Sequence, residues 1–198
     1  MRAEPLQLTR REYFRELKPY LVTAILLFAL GILAGNLLAS HSAFPALKVT
    51  ESLGGFAEMF LNLPKPVLAL MIFANNAVKT LLVVVLGIAL AIVPLAFILV
   101  NGLAIGVVLH LTAQSKGVAY ALLATVPHGV FELPGVLAGA AIGLMLGNKA
   151  IRRLFRRSEL KVGTELRRAL KIFASTIVPL LLIGAITEAY LTAAILGK

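Results

Sequence analysis

From Val67 to about Ala113 the chain is apolar for roughly 47 residues, a run no water-soluble fold accommodates. A helix crossing a hydrocarbon core of about 30 Å needs about 20 residues, so this stretch is long enough for two crossings. Backbone N–H and C=O groups find no water at that depth, so each crossing must close its hydrogen bonds within its own helix. Further apolar runs at 19–39, within 118–148 and at 172–196 bring the expectation to about five. The expected fold is therefore all-α, a polytopic helical membrane protein formed as one integral membrane domain over residues 1–198. At 60% hydrophobic residues, the composition leaves no room for a second soluble domain.

The net charge of +10 raises nucleic acid as a partner, but the placement of the charges argues for topology. Arg2, Arg10, Arg11, Arg15 and Lys18 precede the first apolar run. Lys149, Arg152, Arg153, Arg156, Arg157, Lys161, Arg167, Arg168 and Lys171 lie between the last two. Basic residues packed into short segments beside spans mark the cytoplasmic side. Residues 1–18 and the loop 149–171 are thus expected to be cytoplasmic, with the protein in the cell membrane. The loop is expected to meet anionic lipid head groups, and no nucleic acid partner is expected. Cysteine and aspartate are both absent, which removes disulfides, thiolate metal sites and paired-aspartate chemistry.

Between the spans, Ser52, Leu53, Phe56, Ala57, Phe60 and Leu61 predict a short amphipathic helix on the membrane surface within an outer segment, 40–65. A turn is expected near 87–94 and a polar outer turn at 110–116. Residues 118–148 are long for one span and contain Pro127-His128-Gly129, which predicts a broken fourth span with a half-helix at 118–126 and a longer part at 130–147. The last crossing is expected at 172–196.

The polar residues inside these spans share a depth. Counted from the outer ends at about 1.5 Å per residue, Asn75, Lys79, Asn101, His128, Glu132 and Glu188 fall roughly 12–21 Å into the membrane, and Asn76 adjoins Asn75. Such residues are costly in hydrocarbon and normally face a protein interior with a partner. Gly135, Gly139, Gly143 and Gly147 recur every fourth position, advancing about 40° per step, and on that wheel they share a side with His128 and Glu132. That face is expected to pack against another helix, as small-xxx-small seams do, and Gly31-x-x-x-Gly35 and Gly102-x-x-x-Gly106 carry the same signal.

The residues support three functions. The first is a non-enzymatic scaffold or assembly partner, self-associating through its glycine faces, in which Glu132 pairs with His128 or Lys79. The second is an oligomeric transporter or a protein handling lipids or ions, with the polar layer at the broken helix as its site. The third is an intramembrane metal hydrolase with Glu132 as base and His128 as ligand. The third lacks the second histidine of H-E-x-x-H, so zinc would need Glu188 and His110 to complete its shell. No cofactor and no catalytic residue are expected on the leading reading. Its expected partners are membrane lipids, a second copy of the chain and other proteins.

Phe73-Ala74-Asn75-Asn76, Asn101-Gly102 with Gly106, Pro127-His128-Gly129-Val130-Phe131-Glu132 with its glycine-rich helix, and Ile186-Thr187-Glu188-Ala189-Tyr190 resemble the stage II sporulation protein M family. The resemblance covers most of residues 20–195. It implies an integral membrane component, similar to an anchor that recruits peptidoglycan-remodelling enzymes in endospore formers. Relatives also occur in archaea that neither sporulate nor make that wall, so the resemblance implies no sporulation role here. It assigns no catalysis to His128 or Glu132.

Overall fold

The computed structural model describes residues 10–41, 63–89, 91–155 and 162–192. It contains α1 (Arg10–His41), α2 (Lys65–Leu86), α3 (Ile92–Lys116) and α4 (Val118–Leu154). A last helix follows in four consecutive pieces: α5 (Val162–Ile172), a π-helical turn (Phe173–Ile177), α6 (Val178–Ile186) and a second π-helical stretch (Thr187–Thr192). Five of these helices are long and apolar enough to cross a membrane, as expected. The surface helix expected within 40–65 falls on residues 42–62, outside the described residues.

One stripe of α1 explains its position. Tyr13, Leu17, Ala24, Phe28, Gly31 and Gly35 recur at helical spacing and are buried, whereas Val22, Leu26, Leu30, Leu33 and Leu37 on the other side are exposed. A face of exposed leucines is stable only against lipid. Because the buried stripe begins at Tyr13, the helix does not stop at Pro19. The charged N-terminal segment and the first span form one element, with the Thr23 hydroxyl donating to the Pro19 carbonyl at 3.0 Å.

α4 is the hub. Buried positions make up 61% of its membrane window, against 22–33% in the other four candidate spans. A helix apolar on all sides belongs inside, and the run from Gly139 to Gly147 is buried throughout. Its seam packs against three partners. A Cβ at Gly135 would lie 3.0 Å from the Leu181 side chain of α6, and one at Gly143 would lie 2.6 Å from the Val83 carbonyl of α2. At Gly147 the added atom would meet Ala91 N at 2.5 Å, in the α2–α3 turn. The glycine faces are therefore consumed within one protomer, and self-association through them, expected from the sequence, does not fit this packing. Gly31 and Gly102 likewise face each other across α1 and α3, where a Cβ on either would sit 3.1 Å from the other's Cα.

These seams also give helix directions. Gly31 with Gly102 and Gly35 with Leu103 run in step, so α1 and α3 are parallel; Asn76 with Glu132 and Val83 with Gly143 make α2 and α4 parallel. Glu132 with Gly184 and Gly135 with Leu181 run in opposite order, so α6 opposes α4. The directions alternate along the chain, as five successive crossings require.

Three expectations are corrected. The fourth span is not broken: α4 is helical through Pro127-His128-Gly129 and through Pro134. Each proline withholds one N–H from the carbonyl four residues back, but leaving the helix would strand several backbone groups in hydrocarbon. Residues 110–116 form no turn, because α3 runs to Lys116 and the chain reverses at Gly117 alone, whose φ of 88° suits glycine. The basic stretch 149–171 is mostly helix, since α4 continues to Leu154 and α5 starts at Val162. The turn expected at 87–94 does occur, at residues 87–89 and 91.

Gly106→Leu will separate α1 from α3, because the new side chain meets the Ile32 backbone, which cannot move aside as a flexible tip would. An overpacking loss of about 2 kcal/mol or more is expected, read by unfolding of the detergent-solubilised protein. The lipid-facing Leu33→Ala should leave the transition within about 0.5 kcal/mol.

Candidate functional site

α2, α3 and α4, with Phe28 of α1, enclose a cavity of about 70 Å³ at the level of the polar layer. Asn76, Lys79 and Thr80 share one face of α2 at i, i+3 and i+4. Phe97, Asn101 and Ile105 follow every fourth residue on α3, and Glu132, Leu133 and Val136 come from α4. A polar cavity needs only about 10–15 Å³ to hold a water, so this one accommodates a few. Ligand pockets for organic molecules run to roughly 300–1,000 Å³, well beyond it.

The expected polar layer is thus largely brought together, but its pairing differs from the expectation. Asn76 Nδ2 donates to Glu132 Oε1 at 2.7 Å, and Asn75 Nδ2 donates to Asn76 Oδ1 at 3.3 Å. Glu132 is therefore held by an asparagine on α2, and no ion pair with Lys79 forms among the described residues. Lys79 is exposed at the cavity rim, within electrostatic range of Glu132. Asn101 Nδ2 donates to its own helix, at the Phe97 carbonyl, 2.7 Å away. His128 lies in α4 one turn before Glu132, and its side chain falls outside the described residues.

Glu188 approaches from the last helix, also within electrostatic range of Glu132. The approach is made possible one turn earlier, where a Cβ at Gly184 would be 3.2 Å from the Glu132 nitrogen. Glu188 stands in the second π-helical stretch, a local widening of the helix often found at functional positions. The first π turn has a visible cause in Pro179, which cannot donate to the carbonyl four residues back; the preceding Val178 N–H reaches five back, to Phe173.

His110, which a zinc site would have required, lines a different groove with Asn36, Gln114 and Ala121. Among the described residues no three His, Cys, Asp or Glu side chains converge on a possible metal position.

Sequence reasoning missed two features. Thr80 is fully buried in the cavity wall, signalled only by its spacing of four from Asn76. Lys149 appeared as one of many loop cations, yet it is buried and ties three helices together. Its Nζ donates to Glu16 Oε2 of α1 at 2.8 Å and to Glu165 Oε2 of α5 at 2.6 Å, and Arg168 donates to Glu165 Oε1 at 2.8 Å. Beside it, Asn148 Nδ2 donates to the Tyr20 hydroxyl. The available signal was Glu165 standing i,i+3 from Arg168 in a mainly cationic stretch.

A family model described as Stage II sporulation protein M matches residues 24–193. Comparison with curated proteins and with solved structures gives no match.

Asn76→Ala will leave a carboxylate oxygen of Glu132 without its donor and should cost about 1–3 kcal/mol. Asn75→Ala, one bond further out, should cost less, and reversible unfolding in mixed detergent micelles separates the two. Lys149→Met strands Glu165 beside a single arginine; a loss of about 3 kcal/mol is expected, and a double-mutant cycle with Glu165→Gln should recover part of it.

Proposed function

The chain belongs to the stage II sporulation protein M family, and on that premise we propose that it is a non-enzymatic membrane scaffold that docks another transmembrane protein or a second copy of itself. Lys79 carries the reading. It stands within a membrane span, exposed, with no ion pair to a described residue, although hydrocarbon penalises a charged side chain by roughly 3 kcal/mol. Lipid tails offer it no counter-ion, whereas a carboxylate on a neighbouring helix would. The exposed apolar residues of the same helix, Val78, Leu82 and Leu86, would flank that contact.

The rest of the molecule suits a support. Its helices are locked by backbone-to-backbone seams and by the Lys149 ion network, and its polar cavity is too small for an organic substrate. The transporter alternative relied on half-helix ends at a broken fourth span, and α4 is continuous. We place the N-terminus and the basic segment after α4 on the cytoplasmic side by the positive-inside rule.

Crosslinking in native membranes, followed by native mass spectrometry from nanodiscs, tests this. The wild type should be captured in a complex, and Lys79→Leu should be released as a monomer with an unchanged unfolding transition. A wild type that is monomeric under both measurements overturns the scaffold reading.

A further inference from the structure

The cavity wall carries several side-chain oxygens that accept no hydrogen bond from a described residue. Thr23, Thr187 and Ser115 each donate their hydroxyl to the carbonyl four residues back, the usual resting place for such a group in a helix. Thr80 does not. Its methyl group is set against Gly139 of α4, and its Oγ1, in a residue with 0% exposure, has no partner among the described residues. The two amide side chains lining the cavity have spent N–H donors elsewhere, Asn101 on the Phe97 carbonyl and Asn76 on Glu132. Each amide keeps a second N–H and Thr80 keeps its O–H, while the oxygens of Asn101 and Thr80 and the second oxygen of Glu132 accept from no described residue. Lys79 is the only ammonium among the described lining residues, and it sits exposed at the rim.

Unsatisfied oxygens cost free energy wherever water is excluded, and hard cations are the ligands that several oxygens satisfy together. Among the described residues, Glu132 and Glu188 approach each other and Lys79 opposes them. A space of about 70 Å³ admits a small ion with some of its water and excludes an organic molecule. No trio of carboxylate or imidazole ligands converges among the described residues, which disfavours a divalent or transition metal.

We propose that this cavity binds one alkali-metal cation of the sodium class, ligated by Glu132, Thr80 Oγ1 and Asn101 Oδ1, with water completing its shell. The ion bridges α2, α3 and α4 and is a resident part of the bundle. The proposal goes beyond the scaffold reading and does not depend on it.

The test uses the full-length protein in detergent, with sodium chloride replacing choline chloride at constant ionic strength and pH. The wild-type melting temperature should rise saturably by a few degrees, as binding to the folded state alone requires. Glu132→Gln and Thr80→Val, both close in size to the native residues, should abolish the rise. Lys79→Gln should keep or strengthen it, since a repelling charge is removed. Because Thr80→Val leaves every described hydrogen bond in place, it decides the matter even if Glu132→Gln fails to fold. A wild type indifferent to lithium, sodium and potassium overturns the proposal. So does an equal rise in wild type and Thr80→Val, which is bulk salt acting, and so does a response to pH alone, which identifies a proton.

Discussion

Apolar side chains gain nothing by leaving lipid for a protein interior, so helices in a bilayer associate through close packing and the few polar contacts they can make. In this protein the close packing is backbone against backbone. Gly31 and Gly102 bring α1 onto α3, and the run Gly135, Gly139, Gly143 and Gly147 lets α2, the α2–α3 turn and the last helix approach α4. Every other feature of the bundle inherits its position from these approaches. Ala91 shows how firmly they hold: its φ of 64°, unfavourable for a residue with a Cβ, is kept where its nitrogen faces Gly147.

The polar cluster follows from the same register. With Val83 set on Gly143 and Thr80 on Gly139, Asn76 comes level with Glu132, and Gly184 clears the space that brings Glu188 near. At the end of the bundle where α4 stops, the Lys149 network joins α1, α4 and α5. Two polar assemblies at different depths thus pin a bundle whose apolar exterior gives little orientation. Polar contacts are few in such an interior, but they discriminate one register from the next, since a shift of one residue would leave Glu132 without its donor.

Much of this was legible before any coordinates. Runs of apolar residues imposed helices and their number, because hydrocarbon permits little else. Four glycines at a spacing of four identified the buried side of α4, and the depth of Asn75, Asn76, Asn101, Glu132 and Glu188 indicated a common layer. The errors have a shared origin. Pro127-His128-Gly129 read as a break and 110–116 as a turn, each by local propensity, and in each place the cost of exposing backbone was larger. Lys149 and Thr80 were passed over because nothing in their own neighbourhoods distinguishes a buried lysine or threonine from an exposed one.

By itself, then, the sequence determined the class of fold, the count of crossings, the small-residue faces and the residues too polar to meet lipid. All of these depend on composition and period along one helix, and the bilayer enforces them without reference to other helices. Only the tertiary structure decided which polar groups meet: Asn76 rather than Lys79 at Glu132, a buried Thr80 hydroxyl that bonds to no described residue, and Lys149 between two glutamates. Such pairings depend on the relative height and rotation of separate helices. Those are set by contacts such as Gly139 with Thr80 and Gly184 with Glu132, more than 40 residues apart in the chain, which no periodicity within one segment contains.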